Sequence, residues 1–106
     1  MSAQNESEGR GRLHHVAIVV SDIAQAVAWY RDSLAPEVVY QDDSWAMLRF
    51  SNIDLALVLP GKHPPHLAVE RADAAAYGPL TRHRDGSESV YVKDPFGNVI
   101  EVMQSR

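Results

Sequence analysis

The chain contains no cysteine. This absence excludes disulfide bonds and thiolate-ligated metal sites, and it favours a cytoplasmic location, where disulfides are rare. No apolar run approaches the roughly 20 residues that a transmembrane helix needs. The residues after Met1 also lack the apolar segment of a signal peptide. We therefore expect no membrane partner.

Basic residues are few and scattered. The sequence has 10 Lys and Arg against 14 Asp and Glu, for a formal net charge of -4. Binding to a phosphate backbone needs a dense basic surface, so we expect no nucleic-acid partner. The loose basic cluster around Arg82 and Arg84 is followed at once by Asp85, which is typical of a solvated loop.

An internal repeat organises the rest of the chain. The segment from His15 to Asp22 returns as the segment from His66 to Asp73, with histidine and aspartate at the same spacing. Each copy predicts a short strand that begins with histidine and ends at a turn, and such a repeat indicates two related units. We expect one domain over residues 13–106, with module one at 13–60 and module two at 65–106. The polar residues 1–12 are predicted to be a disordered leader.

Hydrophobic periodicity predicts the elements of each module. In module one we expect a strand at 13–20, a helix at 22–34, and strands at 37–41, 44–50 and 53–59. In module two we expect a strand at 67–70, about one helical turn at 74–77, a short edge strand, and strands at 89–93 and 99–104. The predicted fold class is α+β: two βαβββ modules form a curved mixed sheet around a central cavity, and the second-module helix is shortened.

Glu101 is unusual because it lies in an apolar strand. A carboxylate among apolar neighbours must find a partner or shift its pKa. If the two modules pair into one curved sheet, His15, His66 and Glu101 all point into its hollow. Two imidazoles and one carboxylate form a facial triad that leaves open positions on a divalent metal ion, and Zn, Fe, Mn, Co or Ni would suit it. The alternative is that each histidine is an ordinary strand residue without a ligand role.

Three segments resemble the vicinal oxygen chelate superfamily. They are residues 15–22, residues 29–34 and residues 90–101, and the last contains an Asp94-Pro-Phe-Gly-Asn-Val-Ile-Glu101 sequence similar to the superfamily's terminal DPxGNxxE signature. The superfamily includes glyoxalase I, extradiol dioxygenases, methylmalonyl-CoA epimerase, fosfomycin-resistance transferases and bleomycin-resistance proteins. The resemblance implies paired βαβββ modules. It also implies that His15, His66 and Glu101 are metal ligands.

The resemblance further implies a particular number of ligands. In glyoxalase I and the epimerases, a fourth ligand comes from the last strand of module one. Alignment places Leu55 near that position, and leucine cannot coordinate a metal. Asp54 is adjacent, but strand alternation predicts that its side chain faces the other way. A three-ligand site is therefore expected, as in the fosfomycin transferases and extradiol dioxygenases.

Other residues are candidates for the surroundings of the site. Tyr91 and Glu70 are candidates for proton transfer, although Tyr91 equally suits packing against the sheet and Glu70 suits a surface salt bridge. Trp45, Met47 and Arg49 alternate on one face of a strand and are expected to line a substrate pocket, where Arg49 would bind an anionic group. Alternatively, these three face solvent or a partner subunit.

Two functions remain open from the sequence. The first is a metal-dependent lyase, isomerase, transferase or dioxygenase that acts on a small oxygen-rich substrate. The second is a metal-free ligand-sequestering protein of the bleomycin-resistance type, which the short second module favours. We expect a homodimer, in which His15 of one subunit could join His66 and Glu101 of the other. His14, His63 and His83 are expected to be structural or surface residues.

Overall fold

The computed structural model describes residues 9–105, and its elements repeat one order twice. The first copy comprises β1 (Arg12–Val19), α1 (Ile23–Leu34), β2 (Glu37–Gln41), β3 (Trp45–Arg49) and β4 (Asp54–Val58). The second comprises β5 (His66–Arg71), a 3₁₀ turn (Ala74–Tyr77), β6 (Thr81–Arg82), β7 (Glu88–Lys93) and β8 (Val99–Gln104). The predicted α+β fold of two βαβββ modules with a shortened second helix is confirmed.

The eight strands belong to one mixed sheet in the order β2-β3-β4-β1-β5-β8-β7-β6. β1 runs parallel to β4, whereas β2 and β3, β3 and β4, β6 and β7, and β7 and β8 pair antiparallel. The described chain divides into two compact units, one of residues 15–66 and one of residues 67–105 with 9–14. The boundaries between the units fall inside β1 and β5, at their histidines.

Helix α1 begins and ends with defined caps. The Asp22 carboxylate accepts a hydrogen bond from the Gln25 backbone N–H at 2.9 Å, which satisfies one of the free donors of the first turn. At the other end Ala35 adopts a left-handed conformation with φ of 57°, and its N–H donates to the carbonyls of Tyr30 and Arg31. The helix agrees with the one predicted at 22–34.

The core of residues 15–66 lies between α1 and one face of the sheet. Ile23 and Val27 of the helix pack against Ala46, Leu48 and Leu57 of the strands. Further apolar residues pack against this cluster, among them Ile18 of β1, Leu55 of β4 and Val20, which follows β1. Because side chains alternate along a strand, the opposite face of β1 carries His15 and Ala17, both of which are buried.

In residues 67–105, hydrogen bonds within the turn stabilise the β7–β8 hairpin. The Asp94 carboxylate accepts hydrogen bonds from the backbone N–H groups of Phe96 and Asn98 and from the Asn98 side chain, all between 2.8 and 2.9 Å. The register that follows this turn places Tyr91 opposite Glu101. The 3₁₀ turn packs against both strands of the hairpin, and its Ala74 is fully buried.

The predicted leader falls mostly outside the described residues. Residues 1–8 lie outside them, and β1 begins at Arg12, one residue before the predicted start of the domain. Within residues 9–105, no helix has the length and apolar character that crossing a membrane requires.

Candidate metal centre

His15 and His66 are close neighbours. His15 lies on β1 and is 8% exposed, and His66 opens β5 and is half-buried. Their Nε2 atoms are 3.1 Å apart, and the rings meet edge to face with centroids 5.2 Å apart. The two Nε2 atoms are therefore within hydrogen-bonding distance, and one ring donates to the other.

A backbone carbonyl fixes the state of the His66 ring. The Nδ1 atom of His66 lies 2.9 Å from the Pro64 carbonyl oxygen, which can only accept a hydrogen bond. Nδ1 must therefore carry the proton, so Nε2 of the neutral ring presents a lone pair. Metal-binding histidines are commonly oriented in this way by an outer partner on the other ring nitrogen.

Glu101 lies on β8 and is 5% exposed. The Ser89 hydroxyl donates a hydrogen bond to Glu101 Oε2 at 2.8 Å, and the Nε2 atom of His83 lies 3.7 Å from the same oxygen. A carboxylate held among apolar neighbours is stabilised only by such partners or by a nearby positive charge.

The structure brings the three predicted ligands together. His15, His66 and Glu101 each offer one ligand atom, and these atoms all lie within 4.8 Å of one another. Two imidazole nitrogens and one carboxylate oxygen suit a divalent transition metal, and three protein ligands leave coordination positions open. The expectation that His15 of one subunit joins His66 and Glu101 of the other stays a prediction.

The orientation predicted for Asp54 was wrong. Asp54 pairs in register with His15 and with Arg49, so its side chain lies on the His15 face, whereas Leu55 packs against the core below α1. The error arose because Leu55, rather than Asp54, was assigned to the site face. Asp54 accepts a two-pronged ion pair from Arg49, with N···O distances of 2.9 and 3.1 Å. Its carboxylate is thus engaged, and it is not part of the three-residue cluster.

The three residues predicted to line a pocket differ in their contacts. Trp45, Met47 and Arg49 do alternate with the buried Ala46 and Leu48, as expected. The Trp45 ring stacks on Tyr40 with centroids 4.6 Å apart. Arg49 is half-exposed and already paired with Asp54. Met47 lies between them on β3 and is half-buried.

Tyr91 lies beside Glu101, whereas Glu70 is not part of the cluster. Burial, followed by the negative charge of Glu101 and a hydrogen bond with it, raises the pKa of Tyr91 to about 12. Tyr91 therefore keeps its proton at neutral pH and acts as a donor. Glu70 is half-buried on β5, two positions beyond Ala68, and strand alternation places it on the same face as His66.

Two polar residues next to Glu101 were not predicted. Ser89 is fully buried, and its hydroxyl lies 2.6 Å from Nε2 of His83. Strand alternation on β7 could have placed Ser89 on the Glu101 face, because it is two positions from Tyr91. His83 was expected to be a surface residue. It lies in a turn without periodicity, so no sequence signal pointed to its contact with Ser89.

The chain matches a known family model and known structures. The model of the Glyoxalase/Bleomycin resistance protein/Dioxygenase superfamily matches residues 12–76. A member of that superfamily from Vibrio splendidus 12B01 has a similar structure, with a TM-score of 0.69 and 19% identity over 90% of this chain and 99% of that one. No curated protein matches the chain.

Two methylmalonyl-CoA epimerases also have similar structures. The enzyme from Mycobacterium tuberculosis has a TM-score of 0.68 and 23% identity, over 90% of this chain and 88% of that one. A variant from Streptomyces coelicolor in complex with 2-nitronate-propionyl-CoA has a TM-score of 0.69 and 23% identity, over 90% of this chain and 97% of that one. At this identity the similarity establishes the fold. Together with the family model, it means that the chain belongs to the Glyoxalase/Bleomycin resistance protein/Dioxygenase superfamily, as its sequence motifs indicated.

Proposed function

We propose that this chain is a metal-dependent enzyme of the superfamily, in which His15, His66 and Glu101 hold a divalent ion. The observation that carries the proposal is the convergence of their three ligand atoms within 4.8 Å. When bound, the ion would supply Lewis-acid chemistry to the oxygens of a small chelated substrate. Zn, Fe, Mn, Co and Ni all suit this donor set.

The residues around the cluster support a three-ligand site. The Pro64 carbonyl keeps the lone pair of His66 on Nε2. Glu101 would contribute one negative charge from a buried position, where its interaction with a cation is weakly screened. Arg49 holds Asp54, the carboxylate on the His15 face, in an ion pair, and Asp54 does not belong to the three-residue cluster.

The roles of the other predicted site residues remain proposals. Tyr91 would donate a hydrogen bond to a substrate oxygen, since its raised pKa keeps it protonated. Glu70 is a candidate base, and Trp45 and Met47 are candidates for substrate contact. Arg49 would bind an anionic substrate only by leaving Asp54. A homodimer and a cytoplasmic location also remain predictions from the sequence.

Metal content per chain tests the proposal. We expect near-stoichiometric metal in the wild-type protein after incubation with divalent ions, and a sharp loss in His66→Ala and in Glu101→Gln. His63→Ala and Asp54→Asn are matched controls, since His63 lies outside the cluster and Asp54 is paired with Arg49. Wild-type protein that stays empty of metal would contradict the proposal.

The alternative is a metal-free protein that sequesters a ligand. The observation that favours it is the replacement of the second-module helix by a four-residue 3₁₀ turn, since a helix and its loop would help to enclose a catalytic pocket. In that case the wild-type protein stays empty of metal, and His66→Ala binds the ligand as the wild-type protein does.

A further inference from the structure

We propose that His83 and Ser89 are positioning residues, which orient Glu101 so that it binds a divalent ion through a single oxygen. The inference rests on the proposed metal site and extends it by two residues. The three side chains form one hydrogen-bonded chain within the unit of residues 67–105.

The hydrogen-bonded chain of Glu101, Ser89 and His83 runs from the interior to the surface. Ser89 is fully buried on β7, and its Oγ lies 2.8 Å from Glu101 Oε2 and 2.6 Å from His83 Nε2. The 2.8 Å O···O distance is that of an ordinary hydrogen bond, and the 2.6 Å N···O distance is shorter than most. The His83 side chain is 35% exposed, so it is the member of the chain that meets solvent.

The direction of the hydrogen bonds follows from the number of protons. Ser89 has one hydroxyl hydrogen, and an ionised carboxylate can only accept. Ser89 must therefore donate to Glu101 and accept from His83. This requires a proton on Nε2 of His83, and the neutral ring is then in its Nε2–H tautomer.

The β6–β7 turn holds His83 in place. The His83 backbone N–H donates to the Ser87 carbonyl at 2.7 Å, and the Gly86 N–H donates to the His83 carbonyl at 3.0 Å. Within the turn, the Asp85 carboxylate accepts from both the backbone N–H and the hydroxyl of Ser87, at 2.9 and 2.6 Å. The imidazole thus projects from a turn with fixed geometry rather than from an unstructured loop.

The hydrogen bond from Ser89 affects how Glu101 can bind a metal ion. A donor bound to Oε2 fixes the plane of the Glu101 carboxylate and competes with a metal for that oxygen. Coordination through one oxygen leaves more positions on the ion for substrate. Outer partners of this kind typically change metal affinity by about 10–100-fold when removed.

Titration of the metal-free protein with Co²⁺ tests the positioning role, with the visible absorption of Co²⁺ as a report on its coordination. We expect His83→Leu to weaken Co²⁺ binding about 10-fold or more and to change the spectrum. His83→Gln should restore both, because its amide N–H can donate to Ser89. His63→Leu is the matched control and should behave as the wild-type protein does.

A second measurement needs no metal. Nitrogen-15 NMR of the metal-free protein in mildly alkaline buffer reports the histidine tautomer, and we expect Nε2–H for His83 in the wild-type protein and a mixture in Ser89→Ala. If Ser89→Ala does not fold, the His83 variants still decide the question.

Specific results would overturn the positioning role. They are a predominant Nδ1–H tautomer of His83, or wild-type affinity and spectrum in His83→Leu. A wild-type protein that binds no Co²⁺ would instead contradict the proposed metal site, and the positioning role with it. The two failures are therefore distinguishable.

Discussion

The polar side chains that this fold buries are hydrogen-bonded. His15, Ser89 and Glu101 are all buried, and among residues 9–105 no buried side-chain nitrogen or oxygen lacks a hydrogen-bond partner. Leaving one such group unpaired costs about 1–3 kcal/mol. A substitution that removes one partner therefore acts through the group that remains.

Individual apolar residues of the core also contribute to the free energy of unfolding. Leu57 is fully buried below α1, and we expect Leu57→Ala to lower the free energy of unfolding by about 2–5 kcal/mol, because it removes contacts and leaves a cavity. Urea denaturation measures the change. Leu34→Ala is the matched control at 56% exposure and should change stability by less than about 0.5 kcal/mol. Equal losses in both variants would contradict the described core.

Among the elements, α1 depends on its N-cap. Asp22→Ala removes the hydrogen bond to the Gln25 N–H, and we expect a loss of about 1 kcal/mol in the free energy of unfolding. Asp32→Ala, in the last turn of the same helix, changes an exposed aspartate without a cap bond and serves as the control. Chemical denaturation compares the two, and no loss in Asp22→Ala would show that the cap contributes nothing.

The β7–β8 turn is expected to make a contribution to stability that depends on pH. Hydrogen bonds from the Asn98 side chain and then from backbone N–H groups hold the pKa of Asp94 below its ordinary value of 3.8. A lowered folded-state pKa means that the ionised group stabilises the fold above pH 3.8, and that this contribution is lost as the pH falls through the folded-state pKa.

The test compares the wild-type protein with Asp94→Asn, which cannot ionise. Their difference in unfolding free energy should be constant near neutral pH and should shift against the wild-type protein as the pH falls below 3.8. Other aspartates, such as Asp73, titrate equally in both proteins and cancel in the difference. A difference independent of pH would contradict the lowered pKa.

For the whole molecule, the proposed metal site predicts a link between metal binding and stability. A ligand that binds only the folded state stabilises it by about 2.7 kcal/mol at a free concentration 100 times its Kd. We expect thermal unfolding of the wild-type protein to shift upward with added Zn²⁺ or Co²⁺, and that of Glu101→Gln to shift much less. Equal shifts in both proteins would place the bound ion outside the cluster.

The architecture of the molecule was largely predictable, because its signals are local. Hydrophobic periodicity indicated the strands, α1 and the single turn that replaces the second helix. The histidine repeat also pointed to the pair that the structure brings to 3.1 Å. Apart from the histidine repeat, these patterns depend on neighbours along the chain, and the sequence contains them in full.

The sequence by itself determined the two βαβββ modules and pointed to His15, His66 and Glu101 as the clustered residues. Only the tertiary structure decided that Asp54 shares the face of His15 and is engaged by Arg49, and that His83 reaches Ser89. The reason is physical. Which side chains meet across strands depends on register and on the path of a turn, and both are fixed by packing between residues that are distant in the chain.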